Sequence, residues 1–270
     1  MNTLSFRWFA LAVALAGPVS SRLAGQATPP DPGQTPAANP IPQSLPGRAA
    51  SWKSLLPNIL DDQKRIWSFP ARVAEDRNYI ATAAVLGSVA GLIALDPAEG
   101  RYFRQSTAYR PFNNAFGGNM TAIGTIVAPL SLYGIGLLRK DTKMTTTAFL
   151  AGEAVADSEI VATVLKDATR RVRPASVPLH GNYADTWFES GGSPLSARGG
   201  FPSGHTIAAF SIATIVARRY GNHRWVPYAA YGLATAVALS RLTLSAHFLS
   251  DVFAGAALGY SISRFEVLRQ

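Results

Sequence analysis

From residue 51 onward the chain alternates between apolar stretches of helical length and short polar connections. In SWKSLLPNILDDQKRIWSF, Trp52, Leu55, Leu56, Ile59, Leu60, Ile66 and Trp67 recur at helical spacing. This predicts an amphipathic helix that packs on the core or lies on a membrane surface, with Pro57 dividing it into a short piece and a longer one. Tyr79–Leu95 and Met120–Leu138 carry no charge. Met144–Leu165 keeps the helical pattern but contains Glu153, Asp157 and Glu159, and Thr206–Ala217, Trp225–Leu239 and Phe248–Ile262 complete the set. These segments are full of Ala, Gly, Ser and Thr, which suits closely packed helices, and strand signals are weak throughout. The pattern predicts an all-α fold, a bundle of about six helices.

A bilayer span needs roughly 20 apolar residues, and only the first two of these segments approach that. The connections RKDTK (139–143) and ARRYGNHR (217–224) are basic, as cytoplasmic loops are. Two readings stay open: an exported, envelope-associated domain, which is the one adopted, or an integral membrane bundle.

The N-terminal 50 residues differ in character. Arg7 precedes an apolar run from Trp8 to Ala16, followed by small residues, which reads as a secretory signal peptide over 1–27 or an uncleaved anchor. Cleavage fits after Ala27 or near Ser21. Residues 28–50 are rich in Pro, Ala and polar residues without periodicity and read as a disordered or extended linker. The helical domain is then 51–270.

Composition narrows the chemistry. The formal charge is +9 and the basic residues do not form one block, which favours phosphate groups or acidic lipid surfaces over a nucleic-acid stripe. There is no cysteine, so disulfides and thiolate metal sites are excluded.

Three polar patches interrupt the apolar pattern, each at a helix end: Lys166 to Pro174, Pro202-Ser203-Gly204-His205, and Ser240-Arg241 through His247 to Asp251. If the helices alternate in direction, all three ends share one face of the bundle. Lys166, Arg173 and Arg241 then match the oxygens of a phosphoryl group. Ser203 and Gly204 open a helix whose free N–H groups hold an anion, and glycine permits close approach. His247 and Asp251 are four apart and share a helix face. A carboxylate on one ring nitrogen leaves the other as a nucleophile. His205 serves as the acid and base. Such a cage needs no metal.

The patches resemble the signature of the type 2 phosphatidic acid phosphatase (PAP2) family, related to bacterial acid phosphatases and vanadium haloperoxidases. Lys-x6-Arg-Pro matches Lys166, Arg173 and Pro174; Pro-Ser-Gly-His matches 202–205; Ser-Arg-x5-His-x3-Asp matches Ser240, Arg241, His247 and Asp251. The resemblance covers about residues 75–265. It implies a helical phosphatase with a covalent phosphohistidine: His247 the nucleophile, Asp251 its orienter, His205 the acid/base, and Lys166, Arg173, Ser203, Gly204 and Arg241 the phosphate ligands. It implies a site facing away from the cytoplasm, hence a location in the cell envelope. The expected substrate is a phosphorylated lipid or small phosphoester, with a membrane surface as partner. Two alternatives remain: a vanadium-dependent haloperoxidase, the one case in which vanadate is a cofactor, and a non-catalytic lipid-binding protein on the same fold.

Residues outside the signature are read structurally. Arg170 and Arg171 are placed on a solvated or lipid-headgroup face. Glu153, Asp157 and Glu159 are read as capping, pairing with arginines or lining a polar interface. His180 and His223 receive no role. The loop 175–200, with Tyr183, Trp187 and Phe188 among glycines, is read as a wall or lid that selects substrate.

Overall fold

The computed structural model describes residues 50–72, 79–191 and 197–269. The proposed signal peptide and nearly all of the linker lie outside these residues. The described residues form eight α-helices: α1 (Trp52–Arg72), α2 (Tyr79–Gln105), α3 (Arg110–Ala115), α4 (Gly118–Leu138), α5 (Thr142–Thr169), α6 (Gly204–Arg219), α7 (Trp225–Thr243) and α8 (Leu249–Ser261). A π-helical turn, Ile262–Val267, extends α8. No strand occurs among the described residues, so the fold is all-α as expected.

Helix α6 is the axis, with α4, α5, α7 and α8 packed around it; α2 lies outside against α8, and α1 against α5. The core is built from small side chains. Ala209 and Ala213 of α6 meet Ala234 and Val237 of α7, and Leu150, Ala151 and Ala154 of α5 meet Ile215 and Val267. Glycine sets the closest crossing. A Cβ on Gly255 of α8 would lie 2.8 Å from the Ser203 carbonyl oxygen, and one on Gly259 would collide with that of Ile207. Small residues thus replace the apolar payload of a soluble core with proximity.

The helix ends follow local chemistry. Asp141 caps α5 by accepting from the Met144 N–H at 3.0 Å. At its other end Arg170 takes the left-handed conformation, φ 44°, and its N–H bonds the Lys166 carbonyl. This turn throws residues 171–173 back across the bundle end.

Two helices are long and apolar enough to cross a membrane: α2 and α4. Their large side chains point outward, among them Ile80, Leu86 and Leu95 of α2 and Ile123, Ile126 and Leu130 of α4. The short α3 joins them, and the C-terminal half of α2 and the N-terminal end of α4 meet the same end of the bundle, at the start of α8 and at His205 and Arg241.

The six anticipated core helices are present as α2 and α4–α8. Two details differ. Pro57 does not divide α1, which continues through it; Pro57 lies in the second turn of the helix, and the ring disrupts only the backbone around it. Helix α2 runs ten residues beyond Leu95, through Pro97, because Asp96 and Glu99 find partners on α8.

Candidate active site

The three patches meet. The Ala175 N–H donates to the Ser245 carbonyl at 2.8 Å and the Ser203 N–H to the Asp251 carbonyl at 3.0 Å. His247 Nδ1 lies 2.7 Å from the Gly200 carbonyl. The Lys166 Nζ comes so close to α6 that a Cβ on Gly204 would be 2.9 Å from it. Lys166, Arg173, Ser203, Gly204, His205, Arg241, His247 and Asp251 therefore belong to one end of the bundle, the end where α2 finishes and α4 begins.

The local electrostatics suit an anion. Among the described residues none of Lys166, Arg173 and Arg241 has a carboxylate within ion-pairing distance. Lys166 and Arg241 are buried, while Arg173 reaches in from the exposed rim. Burial lowers both buried cations; Arg241 falls to about 10, which leaves it charged at neutral pH. Lys166 is lowered chiefly by burial, against the nearby Glu159 carboxylate, which raises it. Arg241 is aimed by its own fork: Nη2 donates to the Phe116 carbonyl at 2.6 Å and to Ser240 Oγ at 2.7 Å. Helix α6 begins without a side-chain cap; the Ser203 hydroxyl instead accepts from Thr206 Oγ1 at 2.9 Å. Its first-turn N–H groups are therefore left for an anion.

The histidines are fixed by carbonyls. A carbonyl only accepts, so His247 Nδ1–H donates to Gly200 and the ring presents Nε2 with its lone pair. By the same argument His205 Nε2–H donates to the Gly118 carbonyl at 3.2 Å, leaving Nδ1 to exchange a proton. Burial lowers both rings. His205 falls to about 4, with Arg241, His247 and Lys166 adding to the effect of burial. For His247, which is almost fully buried, Asp251 opposes the shift.

The expected pairing of Asp251 with His247 is corrected in one respect. The carboxylate does not make the short bond to Nδ1; Gly200 does. Asp251 Oδ2 stands 3.7 Å from Nδ1 and accepts instead from the Phe248 N–H at 2.8 Å. A charge at that distance still favours the imidazolium, but the backbone carbonyl sets the tautomer.

Arg171 is a second correction. It is not on a solvated or headgroup face but 1% exposed, paired with Asp96 at 2.6 Å and Asp251 at 2.5 Å. Two carboxylates and two flanking rings supply what solvent would otherwise give. Arg170, by contrast, donates from Nε to the Ser190 carbonyl at an exposed position.

The remaining acids behave as polar-interface residues. Asp157 accepts from Gln63 of α1 at 3.0 Å, and Glu153 is buried on the same face of α5. Glu159 alone reaches the cage, its oxygens 3.3 Å from the place of a Gly204 Cβ. The loop after Arg173 packs as a wall. Tyr183 is buried with Val177 and Phe248, Trp187 tilts against Phe201 at 5.4 Å, and residues 186–190 hydrogen-bond to 169–172.

Sequence reasoning did not find Asp96, Gly200, Phe116 or Gly118. Three of them act through backbone carbonyls, which any residue supplies. Asp96 did carry a signal: a carboxylate that ends an apolar run of membrane length.

Residues 147–269 match the family model of the PAP2 superfamily. A stretch of 65 residues, 24% of the chain, is 40% identical to the lipid A 1-phosphatase of Porphyromonas gingivalis, and it spans 15% of that relative's length. Among solved structures, the first transmembrane PAP2 type phosphatidylglycerolphosphate phosphatase from Bacillus subtilis aligns over 78% of this chain and 92% of its own, at 19% identity and a TM-score of 0.39. The matched segment, residues 147–269, is the one that carries all three patches.

Proposed function

We propose that the protein is a metal-independent phosphatase that hydrolyses a lipid-linked phosphate monoester or diphosphate through a phosphohistidine at His247. The observation that carries this reading is the set of three cations without ion-pair partners among the described residues, gathered around an uncapped helix start beside a histidine whose Nε2 holds a lone pair.

The chemistry closes on these residues. Lys166, Arg173, Arg241 and the first N–H groups of α6 hold the non-bridging oxygens. His247 Nε2 attacks phosphorus, the bond to the ester oxygen breaks, and that oxygen takes its proton from His205. Water then returns a proton to His205 as its oxygen attacks phosphorus, the P–N bond breaks, and phosphate leaves with His247 restored. Burial first, and then the neighbouring cations, depress His205. A phosphoryl dianion among those cations raises it again and loads the proton that the first step consumes.

Lipid attachment is inferred from where the cage sits. The phosphoryl site lies at the common end of α2 and α4, whose apolar side chains face outward. The 21 residues of α4 span about 30 Å, the thickness of a hydrocarbon core, and the 27 of α2 somewhat more. Immersed to that depth, the molecule places its cage at the headgroup level. Tyr102, Tyr109 and Phe112 gather near that end and Trp225 and Tyr228 at the other, as interfacial aromatics do. Arg139, Lys140, Lys143, Arg218, Arg219 and Arg224 lie at the end opposite the cage, which orients the cage away from the cytoplasm.

The test is phosphate release in EDTA from phosphatidate and a polyprenyl diphosphate in mixed micelles, beside para-nitrophenyl phosphate. The expected result is turnover abolished by His247→Ala, with the lipids preferred. Turnover that needs an added divalent ion, or halide oxidation with vanadate and peroxide in place of hydrolysis, contradicts the proposal.

A further inference from the structure

Arg171 is a fully buried arginine whose donors converge on the neighbourhood of His247. Its Nη1 donates to Asp251 Oδ1 at 2.5 Å and to Ser250 Oγ at 2.7 Å. Its Nη2 donates to Asp96 Oδ2 at 2.6 Å and its Nε to Thr186 Oγ1 at 3.3 Å. The guanidinium plane is flanked by the rings of Trp187 and Phe248, each centroid 4.2 Å away. Asp96 is equally committed: Oδ1 accepts from the Ser250 N–H at 3.0 Å and Oδ2 from the Ser250 hydroxyl at 2.5 Å. The pair thus joins α2, the first turn of α8, the 170–173 turn and the aromatic wall at one point.

We propose that Arg171, anchored by Asp96 of α2, is a positioning residue that sets the orientation and effective charge of Asp251 toward the nucleophile His247. The inference rests on the phosphohistidine reading above. Arg171 touches no substrate; it acts through Asp251. One Asp251 oxygen is taken by the guanidinium, so the other is directed to the Phe248 N–H and stands beside His247 Nδ1. The charge arithmetic matters as much as the geometry. One guanidinium is shared by two carboxylates, so the group as a whole keeps a negative charge facing the imidazole. Without Asp96, the whole positive charge of Arg171 would fall on Asp251, and the field that supports a charged or phosphorylated His247 would weaken.

The charged groups around His247 are few. Asp251 comes from α8, Arg173 from the turn after α5, His205 from α6, and behind Asp251 stand Arg171, Asp96 and Glu99 of α2. Asp96 touches neither the cage nor the histidine, so its replacement acts on His247 only through Arg171 and Asp251.

The experiment compares wild type, Asp96→Asn and Arg171→Lys as full-length protein in micelles, measuring kcat and KM for para-nitrophenyl phosphate across pH and the melting temperature of each. Asp96→Asn is close to isosteric and Arg171→Lys keeps the charge, so at least one folded variant is expected. For Asp96→Asn the expected result is kcat lowered on the order of ten- to a hundredfold, as for other supports of a reacting group, with KM within about threefold of wild type on the same scale of reasoning. The acidic limb of kcat moves to lower pH. Arg171→Lys lowers kcat but restores neither fork nor Thr186 contact, and its limb stays closer to wild type. A kcat at wild-type level in a folded variant overturns the inference. So does a lower kcat with an unmoved limb and a lower melting temperature, which makes the pair structural only. Wild-type turnover that His247→Ala abolishes keeps the phosphohistidine reading standing in either case; its absence removes that reading instead.

Discussion

Gly204→Ala separates the cage from the scaffold. The new Cβ would sit 2.9 Å from Lys166 Nζ and 3.3 Å from both Glu159 oxygens, and no backbone atom is among its nearest neighbours. Both side chains are flexible at their ends, so the methyl is accommodated by their retreat. Ordinary van der Waals separation asks Lys166 Nζ to move by roughly 0.5–1 Å. A displacement of about 1 Å in a positioning group costs up to about 100-fold, so a 10- to 100-fold loss in kcat/KM is expected, about 1.4–2.7 kcal/mol of transition-state stabilisation. The fold gains: Gly204 opens α6 at an ordinary backbone conformation, and alanine is favoured over glycine in a helix by about 0.5–1 kcal/mol. The assay is kcat/KM for para-nitrophenyl phosphate beside the melting temperature. A more stable, less active protein bears out the reasoning. Activity within threefold of wild type means that Lys166 does not hold the phosphoryl group, and refutes it.

Gly255→Ala is the scaffold counterpart. Its Cβ meets the Ser203 carbonyl at 2.8 Å, backbone against backbone, so a melting temperature lowered in proportion to about 1–3 kcal/mol is expected; an unchanged one contradicts the packing of α6 on α8. The pH dependence of stability has a definite sign. The folded protein binds a proton at His205 only near pH 4, the unfolded chain near 6.5, so the unfolded state binds more protons between these values and stability falls as pH drops from about 6.5 to about 4. His205→Asn flattens that fall; an unchanged pH profile of the melting temperature in the variant removes the half-buried neutral histidine. The outward faces of α2 and α4 predict that the protein stays with membranes on alkaline carbonate washing, and paired Ile126→Lys and Leu130→Lys substitutions in α4 reduce the membrane-held fraction severalfold, since a lysine at mid-bilayer costs about 2.5–3.5 kcal/mol. Release of the wild type by carbonate contradicts the immersion.

The legibility of this molecule in its sequence was uneven for physical reasons. Long charge-free runs and the small-residue content made α2 and α4–α8 visible, because helical periodicity and close packing are both written in side chains. The boundary of α2 was missed because Asp96-Pro97 reads as a stop. What overrides it is tertiary: Asp96 and Glu99 satisfy the N–H groups of Ser250 and Leu249 on α8. The meeting of the three patches was legible since each lies at a helix end and the helices alternate in direction. The supports of the two histidines were not. Gly200 fixes the tautomer of His247 through a carbonyl, and Gly118 holds His205 in the same way. Arg171 looked like one of several surface arginines, since only the partner 75 residues earlier reveals it as buried.

The central claim is that His247 carries the phosphoryl group. The direct measurement is rapid acid-free quenching of the protein with a 32P-labelled phosphomonoester, followed by mapping of any label that survives alkali but not acid. The account predicts label on the peptide containing His247, lost in His247→Ala; with para-nitrophenyl phosphate, whose leaving group departs without an acid, the label accumulates in His205→Asn, where the water that attacks second lacks its base. No protein-bound label during turnover in any of the three proteins, or label that survives acid on Ser203, contradicts it.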